Sequence, residues 1–115
     1  MKTLKNCIKL SSSIRIYVPS TVNVDEKIDS SEWINRSLSI LSQEFGGSTA
    51  SSALGAWISS KGDLIKENVT MVFSYARQEQ LENSIEKIYE FCLEMKKELS
   101  QEAIALEVNG ELYLI

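Results

Sequence analysis

An α+β fold follows from three observations on this 115-residue chain. Two segments carry apolar residues at the helical spacing of three and four, one ending at Phe45 and one at Leu99. Short β-branched runs flank them, cut by turn residues. An Asn-Gly pair stands between the last two runs, the strongest short signal for a β-hairpin. The order is therefore strand, helix, hairpin, helix, hairpin. That is the split βαβ, ferredoxin-like arrangement, with an extra C-terminal β-hairpin. It puts two helices on one face of an antiparallel sheet. The other face stays open unless a partner or a second copy covers it.

Residues 1–13 read as an N-terminal segment and 14–115 as a single α+β domain. A chain of 12.9 kDa buries enough surface for one core and too little for two. Residues 14–18 alternate and are β-branched, hence a strand, and Pro19 ends it. Residues 20–29, with Thr21, Asn23, Asp25 and Asp29, read as a polar loop. Asp29-Ser30-Ser31-Glu32 has capping-box spacing, with Asp29 as the N-cap. Ile34, Leu38, Leu41 and Phe45 then form one apolar helix face, and Gly46-Gly47 supplies the stop. Residues 48–53 are small and polar and read as loop. Residues 54–58 and 64–75 read as the arms of a hairpin, with turn chemistry at 59–63. The second helix, 78–99, carries Leu81, Ile85, Ile88, Cys92, Met95 and Leu99 as a core-facing stripe. Glu82, Glu86, Glu90, Glu94 and Glu98 recur every four residues as a solvated face. Residues 103–108 and 111–115 flank Asn109-Gly110 as the last hairpin.

Composition removes whole classes of function. The 12 basic and 16 acidic residues leave a net charge of −4 and a pI of about 4.9. Duplex nucleic acid is excluded as a partner, because neutralising phosphates needs a basic face. No uncharged apolar run approaches 18 residues, so no membrane partner is expected. Lys2 and Lys5 imitate the start of a signal peptide, but Lys9 and the serines at 11–13 break the apolar stretch that should follow. The chain therefore reads as cytoplasmic. It has no histidine, which removes histidine triads, histidine metal ligands and histidine switches. Cys7 and Cys92 lack metal-ligand spacing, and no metal or cofactor is expected. Cys92 reads as a small buried hydrophobe, and a disulfide to Cys7 stays open.

The middle of the chain carries a recognisable pattern. Gly55-Ala56-Trp57-Ile58, then Gly62-Asp63-Leu64-Ile65-Lys66-Glu67, gives G-x-W, G-x-L, two residues, E. Glu32-Trp33 opens the first helix, and Gln101-Glu102-Ala103 precedes the last strands. Over residues 14–107 the chain resembles the small bacterial family catalogued as domain of unknown function 3574. The resemblance implies a ferredoxin-like fold and no established activity. Some members look like lipoproteins, and this chain departs from them in lacking a lipobox. The Tyr17-Val18-Pro19-Ser20-Thr21 stretch and residues 101–110 also resemble small phage and mobile-element proteins. That second resemblance implies a bacterial host cytoplasm and the inhibition of a host defence.

Without histidine, acid–base work falls to carboxylates, Tyr, Lys and Cys. Glu67 and Glu102 each adjoin a strand and match the pattern above. As a pair they could serve glycoside hydrolysis or hold a hard cation. Each could equally cap a turn or pair with Lys66 or Arg77. Trp57, two residues after a glycine that permits close approach, could wall a ligand or fill a core or an interface. Tyr17, Ser20 and Thr21 end the first strand and could hydrogen-bond a ligand, although loop and turn chemistry accounts for Ser20 and Thr21 equally well. Gly46-Gly47-Ser48-Thr49 is rich in backbone donors, but a helix stop accounts for it better than an anion cradle. Arg15, Arg36 and Arg77 are few for a reader of phosphates, but a small nucleotide needs only one or two, so a small anionic ligand survives where a duplex does not. The ligand-binding set is thus Trp57, Glu67, Tyr17, Ser20, Thr21, Arg77 and Glu102, with no catalytic set.

Two functions compete. The first is a non-enzymatic, self-associating module that sequesters a small anionic signal or blocks a host protein. Its first partner is a second copy, as a homodimer or higher oligomer. The alternative is a small dimeric ferredoxin-like enzyme using carboxylates in a pocket between sheet and helices. The surroundings of Glu67 and Glu102 discriminate. A shared cleft favours the enzyme, and ties to lysines or backbone amides favour the binder.

Overall fold

Alternation in Ser12–Pro19 produces strand β1, whose Ile14, Ile16 and Val18 are fully buried while Arg15 and Tyr17 turn to the opposite face. The structure is a computed structural model describing residues 1–22 and 26–115. After β1 come a two-stranded ribbon, β2 (Thr21–Val22) and β3 (Glu26–Lys27), and helix α1 (Ser31–Phe45). Strands β4 (Thr49–Ile58) and β5 (Leu64–Ala76) follow, then helix α2 (Gln78–Glu98) and strands β6 (Ala105–Val108) and β7 (Glu111–Leu114).

The main sheet runs β4-β5-β1-β6-β7, and every neighbouring pair is antiparallel. This is the split βαβ order the sequence predicts. Strand β6 is its fourth strand, and β7 adds one more outside it. Both helices cover the Ile14 face. The core joins Ile14, Ile16, Val18 and Val72 of the sheet to Leu41 of α1 and to Ile88, Cys92 and Met95 of α2. The helices are stapled where Trp33 and Phe91 meet at 5.5 Å between ring centres. The Arg36 guanidinium lies 4.1 Å over the Trp33 ring and bonds the Glu94 carboxylate at 3.2 Å.

The structure corrects the sequence reading at several elements. Residues 48–53, expected as loop, belong to β4 from Thr49 onward and pair with β5 from Phe73 down. Small polar side chains carry no strand signal of their own, and the ladder to β5 supplies the order instead. The ribbon β2–β3 lies inside the expected loop; Asn23 and Asp25 fall outside the described residues. The N-cap of α1 is Ser30, and Asp29 caps from one residue earlier, its Oδ1 accepting the Ser31 N–H at 3.0 Å. The buried face of α1 is Trp33, Ser37, Leu41 and Phe45, with Ile34 and Leu38 half-buried beside it. The helix is turned to bring Trp33 onto Phe91. Ile85 of α2 is likewise half-buried, while Ser84 and Phe91 are buried. Ser12 is buried and its hydroxyl donates to Gln78 Oε1 at 2.6 Å, so ordered packing begins two residues before the expected boundary.

The remaining turns follow the sequence. Gly46 closes α1 at φ 95°, and Asn109-Gly110 takes positive φ at both positions, as a tight hairpin requires. Cys7 is exposed and Cys92 buried, both as free thiols.

Candidate functional site

Strand β1 pairs with β5 only as far as Pro19 opposite Val69. Strand β4 pairs with β5 well beyond that point, to Ile58 opposite Leu64. The outer part of the β4–β5 hairpin therefore projects past the rest of the sheet. Trp57 and Glu67 sit on this projecting part. The register pairs Trp57 with Ile65 and Gly55 with Glu67, so the indole and the carboxylate share one face on a diagonal. Diagonal positions lie about 7–8 Å apart. Lys66 has the opposite parity and points to the other face.

Two further segments reach the base of the projection. The chain leaving β1 turns at Ser20, whose hydroxyl donates to the Asn68 carbonyl of β5. Thr21 follows it. From the other side comes the connection between α2 and β6. Helix α2 stops with Ser100 at φ 50° and the Gln101 N–H on the Lys96 carbonyl at 2.9 Å. The next residues run toward β6, which pairs with β1 from Leu106 opposite Ile16.

Between these segments lies a cavity of about 420 Å³ lined by Thr21, Trp57, Glu67, Ser100, Gln101, Glu102 and Ala103. That volume falls in the roughly 300–1,000 Å³ range of small-ligand sites. It is open to solvent, with Trp57 47% exposed. Its lining includes two carboxylates and no basic side chain. Among the described residues neither the Glu67 nor the Glu102 carboxylate is engaged in an ion pair or a hydrogen bond. Other hollows differ in chemistry: one of about 350 Å³ between α2 and the C-terminal hairpin is apolar, with Tyr89 and Tyr113 as its only polar side chains.

Four of the seven ligand-binding residues predicted from sequence thus line one cavity: Thr21, Trp57, Glu67 and Glu102. Ser20 stands next to it as the bond that ties the end of β1 to β5. Tyr17 is on the same face of the sheet but does not line the cavity. Arg77 is not brought there. It is the N-cap of α2, its N–H on Gln80 Oε1 at 3.0 Å, and it follows Ala76, which pairs with Ser12 at the far end of β1. Eight strand residues at about 3.3 Å each put it roughly 20 Å or more away. The pairing of Glu67 with Lys66 or Arg77 does not form. The expected close approach at Gly55 is not needed either: a Cβ there would meet only the Glu67 carbonyl, at an ordinary 3.6 Å. Sequence reading missed Ser100, Gln101 and Ala103. Their neighbour Glu102 carried the only chemical signal in that stretch.

The acidic lining also corrects the expectation of an anionic ligand. Carboxylates without a cation among them repel anions and favour a cationic group. The cavity lies where β1 and α2 run out, beside the projecting hairpin, rather than between sheet and helices.

Two solved structures share this fold. A phage SAM lyase in complex with S-methyl-5'-thioadenosine matches with a TM-score of 0.67 at 16% identity, covering 97% of this chain and 94% of that one. A phage SAM lyase in the apo state matches with a TM-score of 0.62 at 19% identity, covering 91% and 88%. No protein-family model matches the chain, and no curated protein does. The reading as a non-enzymatic module is overturned by this comparison, since the structural neighbours are enzymes. The alternative, a small enzyme using carboxylates in a pocket, agrees with it better.

Proposed function

We propose that this chain is a lyase acting on S-adenosylmethionine (SAM) in the cavity of Thr21, Trp57, Glu67 and Glu102. The observation that carries the reading is the convergence of two uncommitted carboxylates and an indole, with no basic side chain in the lining, on a fold shared with SAM lyase over almost its whole length. SAM carries a sulfonium and an ammonium, and the two carboxylates complement these cationic centres. Trp57 offers a flat apolar wall to the purine.

The chemistry fits a chain without histidine. The bond between sulfur and the side-chain γ-carbon breaks, and its electron pair goes to sulfur. The sulfonium becomes the neutral thioether of S-methyl-5'-thioadenosine. The substrate's own carboxylate closes on the γ-carbon to give the lactone. Atoms and charge balance with no water consumed and no proton transferred, so no general base is required. The protein's part is to bind the cationic centres and to hold the aminobutyrate folded for closure.

The reaction takes place in the host cytoplasm, where loss of a methyl donor disables defences that depend on it. Self-association belongs to the same reading. Leu54, Ile58 and Leu64 on the projecting hairpin are each more than half exposed, an apolar surface suited to a second copy.

The test is incubation of the purified chain with SAM and chromatographic detection of S-methyl-5'-thioadenosine. Glu67→Gln and Glu102→Gln should each lower kcat/KM about ten- to a hundredfold, the loss of one charge-assisted contact. Melting temperature should stay within a few degrees. Binding of neutral S-methyl-5'-thioadenosine should suffer less than binding of SAM. No product from the unaltered chain overturns the reading.

A further inference from the structure

Helix α1 packs over β5 and helix α2 over β1. Strand β7 lies two strands beyond β1, about 10 Å away. A helix with its side chains is about 10–12 Å across, so α2 does not reach over β7. The apolar groove of about 350 Å³ opens there, walled by Ile85 and Tyr89 of α2 and floored by Leu106, Tyr113 and Ile115. Tyr113 pairs with Leu106 and Leu106 with Ile16, so the floor is the helix side of the sheet. The rim is acidic. Glu82 and Glu86 stand one helical turn before Ile85 and Tyr89, and Glu111 shares the strand face of Tyr113. Lys96, two turns beyond Tyr89, is the only base along that side of α2.

The same chain carries a surface that matches this groove. Leu54, Ile58 and Leu64 of the projecting hairpin are each more than half exposed. Ile58 pairs with Leu64, and Leu64 has the parity of buried Val72. The three therefore share the helix-side face of the hairpin, opposite Trp57 and Glu67. Lys66 is the only charge on that face of the two strands, and among the described residues it has no ion pair. A protruding apolar ridge with one lysine thus complements a concave apolar groove with an acidic rim. The two cannot meet within one chain, because β5 lies three strands, about 14 Å, from β7.

We infer that the projecting hairpin of one copy docks in the groove between α2 and the C-terminal hairpin of a second copy, with Lys66 against the acidic rim. The inference rests on the self-association proposed above and names the two surfaces that meet. They are different surfaces, so the contact is head-to-tail. Burial of Leu54, Ile58 and Leu64 drives it, and the charge of Lys66 fixes its orientation.

The experiment is light scattering of the unaltered chain and of two variants, each alone and then mixed in equal amounts. Ile58→Asp puts a carboxylate into an apolar groove with an acidic rim. Tyr89→Lys puts an ammonium opposite Lys66. Both positions are exposed, so circular dichroism should stay that of the unaltered chain. Each variant alone should scatter as a single chain of 12.9 kDa at a concentration where the unaltered chain assembles. The mixture should regain the mass of at least two chains, because one variant keeps the groove and the other keeps the hairpin. That recovery also shows that both variants are folded. If either variant alone stays assembled, the contact lies elsewhere, on the open sheet face or between two like surfaces, and the inference is overturned. A mixture that stays as single chains overturns it too. If the unaltered chain itself scatters as a single chain, self-association fails, and this inference falls with it.

Discussion

Cys7 and Cys92 differ only in where the fold puts them. Cys92 is fully buried against the sheet, and that burial pushes its thiol up from 9.0 to about 12. Cys7 is exposed. A thiol reagent at pH 8 should modify one cysteine per native chain and two after denaturation; two fast thiols in the native state would contradict the packing of α2. The pH consequence has a definite sign. The folded value lies above the unfolded one, so this stabilising contribution is complete below pH 9 and is lost as pH rises toward 12. Asp29 acts in the opposite sense. Hydrogen bonds from Ser31 hold its carboxyl below the usual value, so its contribution is lost as pH falls into the acid range.

At the scale of elements, α2 does two jobs. Its apolar stripe closes the core, and its C-terminus delivers residues 100–103 to the cavity. Ile88 is fully buried and Ile85 only half-buried. Ile88→Ala should cost about 2–5 kcal/mol and Ile85→Ala clearly less, as read by denaturant unfolding. Equal losses would mean that the helix is rotated about its axis. Ser100 holds a left-handed conformation that glycine adopts without strain. Ser100→Gly should therefore raise stability by up to about 1 kcal/mol. A loss of that size would show that the serine hydroxyl is needed at the helix stop. The five-fold glutamate row of α2 is exposed throughout, and Glu94 within it serves the staple to Arg36.

The molecule as a whole is longer than its size requires. Its radius of gyration is 15.7 Å with extents of 52 × 28 × 20 Å, against about 13 Å for a compact domain of this length. The projecting β4–β5 hairpin and the exposed segment ahead of Ser12 both lie outside the core. The projecting hairpin exposes Leu54, Trp57, Ile58 and Leu64, and the C-terminal hairpin exposes Leu112 and Leu114. Surfaces of this kind are normally covered. Light scattering at micromolar concentration should give a multiple of 12.9 kDa; a single-chain mass would remove the self-association proposed above. The same projection creates the cavity, because only beyond the end of β1 is there room beside β5.

How much of this was legible in the sequence depends on whether the cause was local. The two helices, the Asn109-Gly110 turn and the order of strands were legible, since periodicity and turn residues act within a few positions of chain. Glu67, Glu102 and Trp57 stood out because each lies in or beside a strand and matches the pattern carried by the middle of the chain. Three things were decided only in three dimensions. The rotation of α1 depends on Trp33 finding Phe91 on another helix. The strand at Thr49 depends on the ladder to β5, since serine, threonine and alanine give it no signal. The membership of the site depends on where strands end: Thr21 enters because β1 stops at Pro19, Arg77 is excluded by the length of β1, and Gln101 enters through an amide that reaches a carbonyl 80 residues away. Local propensity chooses the elements. Which residues converge is set by register and packing between segments distant in sequence, and no window of sequence contains that information.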